Sequence, residues 1–351
     1  MPSPPPEPRS PNYRDIAARA GVSITSVSLA LRDHPSIPSA TRERIKAAAR
    51  ELGYRPNPLV AALMSSLRGP GRARLDANIA LVSVTSARAL GKVHAGALDV
   101  LAAARAHAEA YGYQLTEIPV DAVESAHKDI RRILRARNIV GLLLNDTGQL
   151  LSHLDLDWDQ FSVVRIGTAE PPLRFNTVTS DHYRIMDTAL ATLLARGYRR
   201  IGLDLPRWAR EVSDFRYEAA FYRHQHLPDG QRLVGPFFDG QPGSAHALDW
   251  ARAEKLDALV TPEGKLLRAA RQRGMRVPEE LALAHTDVAT TGMGGWAGMR
   301  QDRQTLVKAA MDLLVADCSH NRRGPPAHAL SIGVPGRWVD GASVAPADSR
   351  S

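Results

Sequence analysis

One cysteine, Cys318, stands in 351 residues, so no disulfide framework can form within the chain, and a reducing compartment suits it. No apolar run approaches the roughly 18 residues of a membrane span. The opening stretch, Met1-Pro-Ser-Pro-Pro-Pro-Glu-Pro-Arg-Ser-Pro, holds no apolar leader core. The expectation is a cytoplasmic protein with no membrane partner. Catalytic signatures are missing as well: there is no P-loop, nucleophile elbow or metalloprotease pair, so no enzyme is expected. His224-Gln-His226 lacks a third ligand at zinc spacing; these are expected to be exposed helix histidines, and no metal or cofactor is expected. Gly292-Met-Gly-Gly-Trp-Ala-Gly298 lacks the strand and helix register of a dinucleotide fingerprint. It is expected to be a mobile loop.

What is present is an ordinary globular composition, 44% apolar and 23% charged, over a length that suggests two or three domains. Its charge is unevenly placed. Residues 1–75 carry twelve Arg or Lys against five acids, a net +7 of the chain's +8. A basic segment on a nearly neutral body suggests that a polyanion meets the N-terminal segment alone, although a solvated basic face with no partner fits the charge equally well.

Six prolines in residues 1–11 predict a disordered or extended tail. Structure is expected from Asn12, which can cap a first helix bearing Ile16, Ala17 and Ala20. Gly21 stops it, and Ser23 caps a second helix with Val27, Ala30 and Leu31 inward. Ser39 or Thr41 opens a third, where Ile45, Ala48, Ala49 and Leu52 recur at helical spacing. Past Pro58, residues Leu59, Val60, Leu63, Met64 and Leu67 form an apolar face without a cover of its own, a short helix that needs a partner. From Asp76 the texture alternates: strands at Ile79, Ile139, Phe161, Ile201, Leu233, Ala258 and Leu281, and helices at 95–110, 183–195, 214–226 and 265–273. Such alternation means parallel α/β sheets, and about 260 residues suit two lobes better than one.

At this point the chain resembles the lactose-repressor (LacI/GalR) family of bacterial transcription regulators. The resemblance rests on Tyr13-Arg-Asp-Ile-Ala-Ala-Arg-Ala-Gly-Val-Ser-Ile-Thr-Ser-Val-Ser, Ser39-Ala-Thr-Arg-Glu-Arg-Ile and Leu52-Gly-Tyr-Arg-Pro-Asn. In the body it rests on 181–187, Leu194-Ala-Arg-Gly-Tyr-Arg-Arg-Ile-Gly, Arg273-Gly-Met-Arg-Val-Pro-Glu-Glu-Leu-Ala-Leu and Arg337-Trp-Val. It implies an N-terminal all-α helix-turn-helix DNA-binding domain (12–57) and a hinge helix and linker (58–75). These precede an α/β two-lobed, periplasmic-binding-protein-like (type I) effector-binding and dimerisation domain (76–340), between disordered tails at 1–11 and 341–351.

The resemblance also implies roles for residues. Ile24, Thr25, Ser28 and Leu29 stand near base edges, where hydroxyls bond either base and an aliphatic group packs on a thymine methyl. Leu29 occupies a position where many members carry arginine. Ser26 is a phosphate candidate, and Asn12, Tyr13, Ser23, Arg32, Thr41 and Asn57 resemble backbone-contacting positions. Asn12, Ser23 and Thr41 would equally serve as helix caps in any protein. Leu63 falls where the family places a leucine wedge for the minor groove, its plain alternative being dimer packing. Arg216 and Asp287 are expected to point into the cleft and fix a small, sugar-like effector, with Thr85, Asn145, Asp181 and Trp208 beside them. Asp287 could instead close a structural ion pair, and Asp181 could be a helix cap.

The expected function is thus a sequence-specific regulator binding a pseudo-palindromic DNA operator as a homodimer, nucleoid-associated when bound. A small molecule would control it through the hinge helix, and repression is the commoner family outcome. Competing readings are a DNA-binding dimer whose cleft takes no effector, a solute-binding protein, and a doubly wound enzyme for which no motif is found.

Overall fold

The structure, a computed structural model, describes residues 13–31, 37–52, 78–85, 95–121, 127–145, 156–167, 174–225, 232–233, 235–236, 246–292 and 294–346. Contacts divide the chain into two units, Met1–Ala73 and Arg74–Ser351.

The first unit holds α1 (Tyr13–Ala20), α2 (Ile24–Ala30) and α3 (Ser39–Glu51). Gly21 takes φ 65, the left-handed value that ends α1 cheaply. Ser23 then caps α2, its hydroxyl oxygen accepting from the Ser26 amide at 3.1 Å. Ile16, Val27, Ala30 and Ile45 are fully buried where the three helices meet, with Tyr13, Val22, Leu31 and Leu52 packed around them. Thr41 is no cap. It is the third residue of α3, which starts at Ser39 behind Pro38, a residue whose extended ψ of 143 sets the helix entry without a side-chain bond.

The second unit contains two six-stranded sheets. One is built from β1 (Asn78–Thr85), β2 (Gln114–Asp121), β3 (Ile139–Asn145), β4 (Ser162–Ile166), β5 (Asn176–Ser180) and β11 (Ser331–Val334). The other is built from β6 (Arg200–Leu203), β7 (Arg232–Leu233), β8 (Ala258–Thr261), β9 (Ala282–His285), β10 (Ala297–Arg300) and β12 (Arg337–Val339). Their orders, β11-β5-β4-β3-β1-β2 and β12-β10-β9-β8-β6-β7, repeat one topology. They differ at the last strand: β11 runs parallel to β5, whereas β12 runs antiparallel to β10.

Helices α4 (Ala95–Ala110), α5 (His127–Ala136) and α11 (Arg303–Ser319) serve the first lobe. Helices α6 (His182–Ala195), α7 (Arg207–Ser213), α8 (Arg216–Gln225), α9 (His246–Ala253) and α10 (Leu266–Gln272) serve the second. The helix α11 comes late in the chain yet buries Leu306, Val307, Ala310, Met311 and Leu314 against Val164 and Val178 of the first sheet. The helix α6 buries Ile185, Met186, Ala189, Leu190 and Leu193 against the second. The backbone therefore passes between lobes three times, around Asp181, around Gln301–Asp302 and around Pro335–Gly336. Among the described residues, no helix is long and apolar enough to cross a membrane.

Several expectations need correction. The helix expected at 214–226 begins at Arg216: Asp214 (φ 51) and Phe215 (φ 57), two consecutive left-handed residues, end a preceding helix, α7, and redirect the chain into α8. Gly292–Gly298 is not wholly a loop: Trp296 and Ala297 are buried and Gly298 lies inside β10. A Cβ on Gly298 would stand 2.2 Å from the His285 carbonyl oxygen, so the approach of β10 to β9 requires the glycine. His224 is buried, not exposed, with Nε2 2.9 Å from Asp187 Oδ1; His226 lies outside the described residues. The tail expected to be disordered from Gly341 is packed as far as residue 346. Ser343 Oγ donates to the Leu283 carbonyl at 2.6 Å and accepts from the Ala297 amide at 2.8 Å, which stitches the chain end to β9 and β10.

Candidate functional site

The first unit presents α2 with its apolar side inward and its first turn outward. Ile24 is 46% exposed, Thr25 and Ser23 are exposed, and Ser26 and Leu29 are half-buried. An exposed isoleucine at a helix start can pack on a thymine methyl. Ser23 and Ser26 bond each other through their hydroxyls at 2.9 Å, which fixes both oxygens at the helix N-terminus, where the backbone favours anions. Tyr13 is half-buried against the helical core, and Thr41 is half-buried in α3. Ser28 lies in α2. Asn12, Arg32, Asn57 and Leu63 lie outside the described residues.

In the body, polar groups gather at the carboxyl ends of the strands, the usual ligand side of parallel sheets. In the second lobe, Thr261 Oγ1 donates to Asp204 Oδ2 at 2.8 Å and accepts from the Glu263 amide at 3.0 Å. The Trp208 indole N–H donates to Glu263 Oε1 at 3.1 Å, holding a ring that is 43% exposed. His285 ends β9. Its Nδ1 accepts from the Asp287 amide at 2.9 Å, and burial lowers its pKa to about 4, so it is neutral with its proton on Nε2.

Arg216 opens α8 half-buried, 3.7 Å from Asp214, and its charge reaches His182. His182 is buried edge-on to Tyr217, with ring centroids 5.1 Å apart. Burial first, then the Arg216 charge, pulls its pKa down to about 4. The Tyr217 hydroxyl, pushed well up by burial, bonds Thr286 and Gln301.

The structure does not bring Arg216 and Asp287 together as a pair. Asp287 is buried, and its carboxylate takes the guanidinium of Arg303, the Gln301 amide at 3.3 Å and the Ala289 amide at 3.3 Å. Arg303 is the first residue of α11, which packs on the other lobe. The Asp287–Arg303 pair therefore clasps two lobes across one crossing. Ser180 Oγ bonding Gln301 Oε1 at 2.7 Å and the Asp181 amide bonding the Val334 carbonyl at 2.8 Å tie the three crossings to one another. Asp181 caps α6, accepting from the Arg184 amide at 3.0 Å. Asn145 ends β3 half-buried, in register with Ser83 of β1, two residues before Thr85 ends that strand.

Tyr217, Gln301, Arg303, His182, Asp204 and Thr261 were not singled out from the sequence. Asp204 and Thr261 had a signal: each sits where a short buried strand ends. Gln301 and Arg303 had none, because their role arises from a crossing between lobes.

A helix-turn-helix unit followed by a two-lobed parallel α/β body defines a class, the DNA-binding transcription regulators with a periplasmic-binding-protein-like core. Residues 12–57 match the family model "Bacterial regulatory proteins, lacI family". The HTH-type transcriptional regulator PtxS of Pseudomonas plecoglossicida is 29% identical over 188 residues, 53% of this chain and 51% of PtxS, so the match spans about half of that relative's length. The fold is similar to the transcriptional regulator CelR–cellobiose complex (TM-score 0.59, 20% identity, 95% of this chain and 99% of that one). It is also similar to the lac repressor dimer bound to operator and the anti-inducer ONPF (TM-score 0.58, 18% identity, 96% of this chain and 100% of that one). Residues 12–57 thus carry the LacI-family DNA-binding signature, and these matches support a LacI-family transcriptional regulator.

Proposed function

We propose that this protein is a transcriptional repressor that binds a pseudo-palindromic DNA operator as a homodimer and answers to a small, sugar-like effector held between its lobes. The observation that carries the reading is α2: a capped helix with a buried underside, Ile24 and Thr25 outward, and paired Ser23 and Ser26 hydroxyls at its start. In the major groove Ile24 and Thr25 meet base edges, while Ser23, Ser26 and Tyr13 hold phosphates. Two copies read two half-sites. Leu63 in the linker wedges the minor groove, and cleft closure alters the pairing of the two hinge segments. Arg216, Trp208, Asn145 and Thr85 meet the effector. The relatives support regulation rather than catalysis, and the solved complexes with cellobiose and with operator support both partners. Chromosomal DNA is then its place of work.

Selection of bound duplexes from a random library tests the reading. A two-fold symmetric motif is expected, and Thr25→Ala should relax one position in each half-site by roughly tenfold, within the usual cost of 1–3 kcal/mol per mismatched base pair. Enrichment of no motif would sink it.

A second reading has its own observation. Asp287, an expected effector ligand, is already neutralised by Arg303, which favours a DNA-binding dimer whose cleft takes no effector. Thermal shifts of the full chain with cellobiose, glucose and sucrose separate the two: a shift supports effector control, uniform silence the second reading.

A further inference from the structure

The amino ends of both sheets carry arginines, with more of them held in ion pairs in the second lobe. In the second lobe three rim arginines hold carboxylates, Arg196 with Asp340 at 2.5 Å, Arg273 with Asp249 at 2.6 Å and Arg276 with Glu280 at 2.7 Å, while exposed Arg199 and Arg252 hold none among the described residues. In the first lobe Arg135, Arg137, Arg174 and Arg323 have no carboxylate partner among the described residues, and all four are exposed. Arg322 adds a guanidinium 64% exposed, although its NH1 lies 3.3 Å from buried Asp317. The exposed carboxylates on the same rim are Glu109, Asp157 and Asp159.

Backbone bonds fix this rim. The Asn78 side chain donates to the Arg137 carbonyl at 2.5 Å, setting Arg137 beside the start of β1. Ser162 Oγ donates to the Arg322 carbonyl at 2.7 Å, setting Arg322 and Arg323 beside the start of β4. With β3 between them, these points lie about 10 Å apart at the ~4.8 Å strand spacing. The whole rim of six strands is roughly 24 Å long, the length of about seven base pairs at ~3.4 Å of rise each. Asn78, the first described residue of the body, begins β1 on this rim.

We infer that the amino rim of the first lobe is a second, sequence-indifferent contact with double-stranded DNA, engaging phosphates beyond the operator. The inference rests on the proposed function. Once α2 holds its site, flanking duplex is present at high effective concentration, so weak phosphate contacts add to affinity. Charge complementarity selects DNA: exposed, unpaired guanidinia suit phosphates, and no base reading is needed.

The test uses the full chain and a duplex selected by the wild-type protein, prepared once as the bare site and once centred in a longer duplex with unrelated flanks. Anisotropy titrations over a range of salt compare wild type, Arg135→Ala/Arg137→Ala/Arg323→Ala, and the second-lobe control Arg252→Ala/Lys255→Ala. Wild type should bind the longer duplex at least tenfold tighter. The triple variant should lose that gain, bind the bare site within twofold of wild type, and show a salt slope on the long duplex shallower by up to about 0.9 per lost contact. The control should match wild type. Equal affinity of wild type for both lengths, or an unaffected triple variant, would overturn the inference and leave the operator reading intact. If the wild type enriches no duplex, the operator reading falls and the rim contact falls with it. Thermal unfolding of each variant reports its folding, and Arg323→Glu alone should lose part of the same gain.

Discussion

The first and second lobes share one strand order, but among the described residues the first leaves four exposed arginines of its amino rim without carboxylate partners, whereas the second holds three of its rim arginines in ion pairs. At the carboxyl ends the emphasis reverses. There the second lobe concentrates Asp204, Thr261, Glu263, His285 and Asp287, joined in short bonded chains. The common topology follows from burying parallel strands under helices, a requirement indifferent to the sign of an exposed side chain. The sign of the charge on an exposed rim is therefore not fixed by the fold.

Three perturbations would break or sharpen that comparison. The largest effect is expected at Gly298, which has no counterpart in β5. A valine there would press on the His285 backbone at a residue with φ 146, costing about 4 kcal/mol or more. In urea the second lobe should lose its cooperative transition. Gly141→Ala in the first lobe meets the side-chain sulfur of Cys318 at 2.8 Å, a softer neighbour, and should cost about 1–2 kcal/mol. Equal costs would mean that the two sheets are packed alike at these points.

Next comes Arg303→Ala, which leaves Asp287 buried and unpaired. A loss of about 3 kcal/mol is expected by chemical denaturation, because a buried charge without its partner is heavily penalised. A loss below about 1 kcal/mol would remove the clasp from the account.

The smallest effect is the response to acid, and it belongs to the second lobe. His182 and His285 titrate near 4 when folded, against an ordinary 6.5. Between those values the unfolded chain binds more protons, so stability present above pH 6.5 is lost as pH falls toward 4. The two sites together should cost roughly 2 kcal/mol between pH 6.5 and about 5.5. A flat urea midpoint over that interval would contradict the burial of these rings. The first lobe offers no histidine so displaced among the described residues.

Much of the fold was legible where burial follows composition. The strands at Ile79, Ile139 and Ala258 read as continuous apolar runs, and the helical unit read from its caps and its spacing of Ile16, Val27 and Ile45. The strand β5, Asn-Thr-Val-Thr-Ser, escaped because its five buried residues are mostly polar, hydrogen-bonded to neighbours such as Gln301 and Asp317. The helix α11 escaped for the opposite reason: its apolar residues recur almost all round, so no single face marked it out. Of the candidate site, Ser23 and Asp181 were recognisable as caps from local chemistry. The engagement of Asp287 was not, since its partner is set by how two lobes meet.

By itself the amino-acid sequence determined the helix-turn-helix unit and the alternating α/β body. It also placed the concentration of positive charge ahead of residue 76. These depend on neighbours a few positions apart, where capping, periodicity and turn chemistry act. Only the tertiary structure decided that Asp287 closes on Arg303, that the chain end is stitched to β9 and β10, and that five arginines scattered from 135 to 323 share one rim. Those facts depend on contacts between distant segments, and no local preference encodes which distant groups will meet.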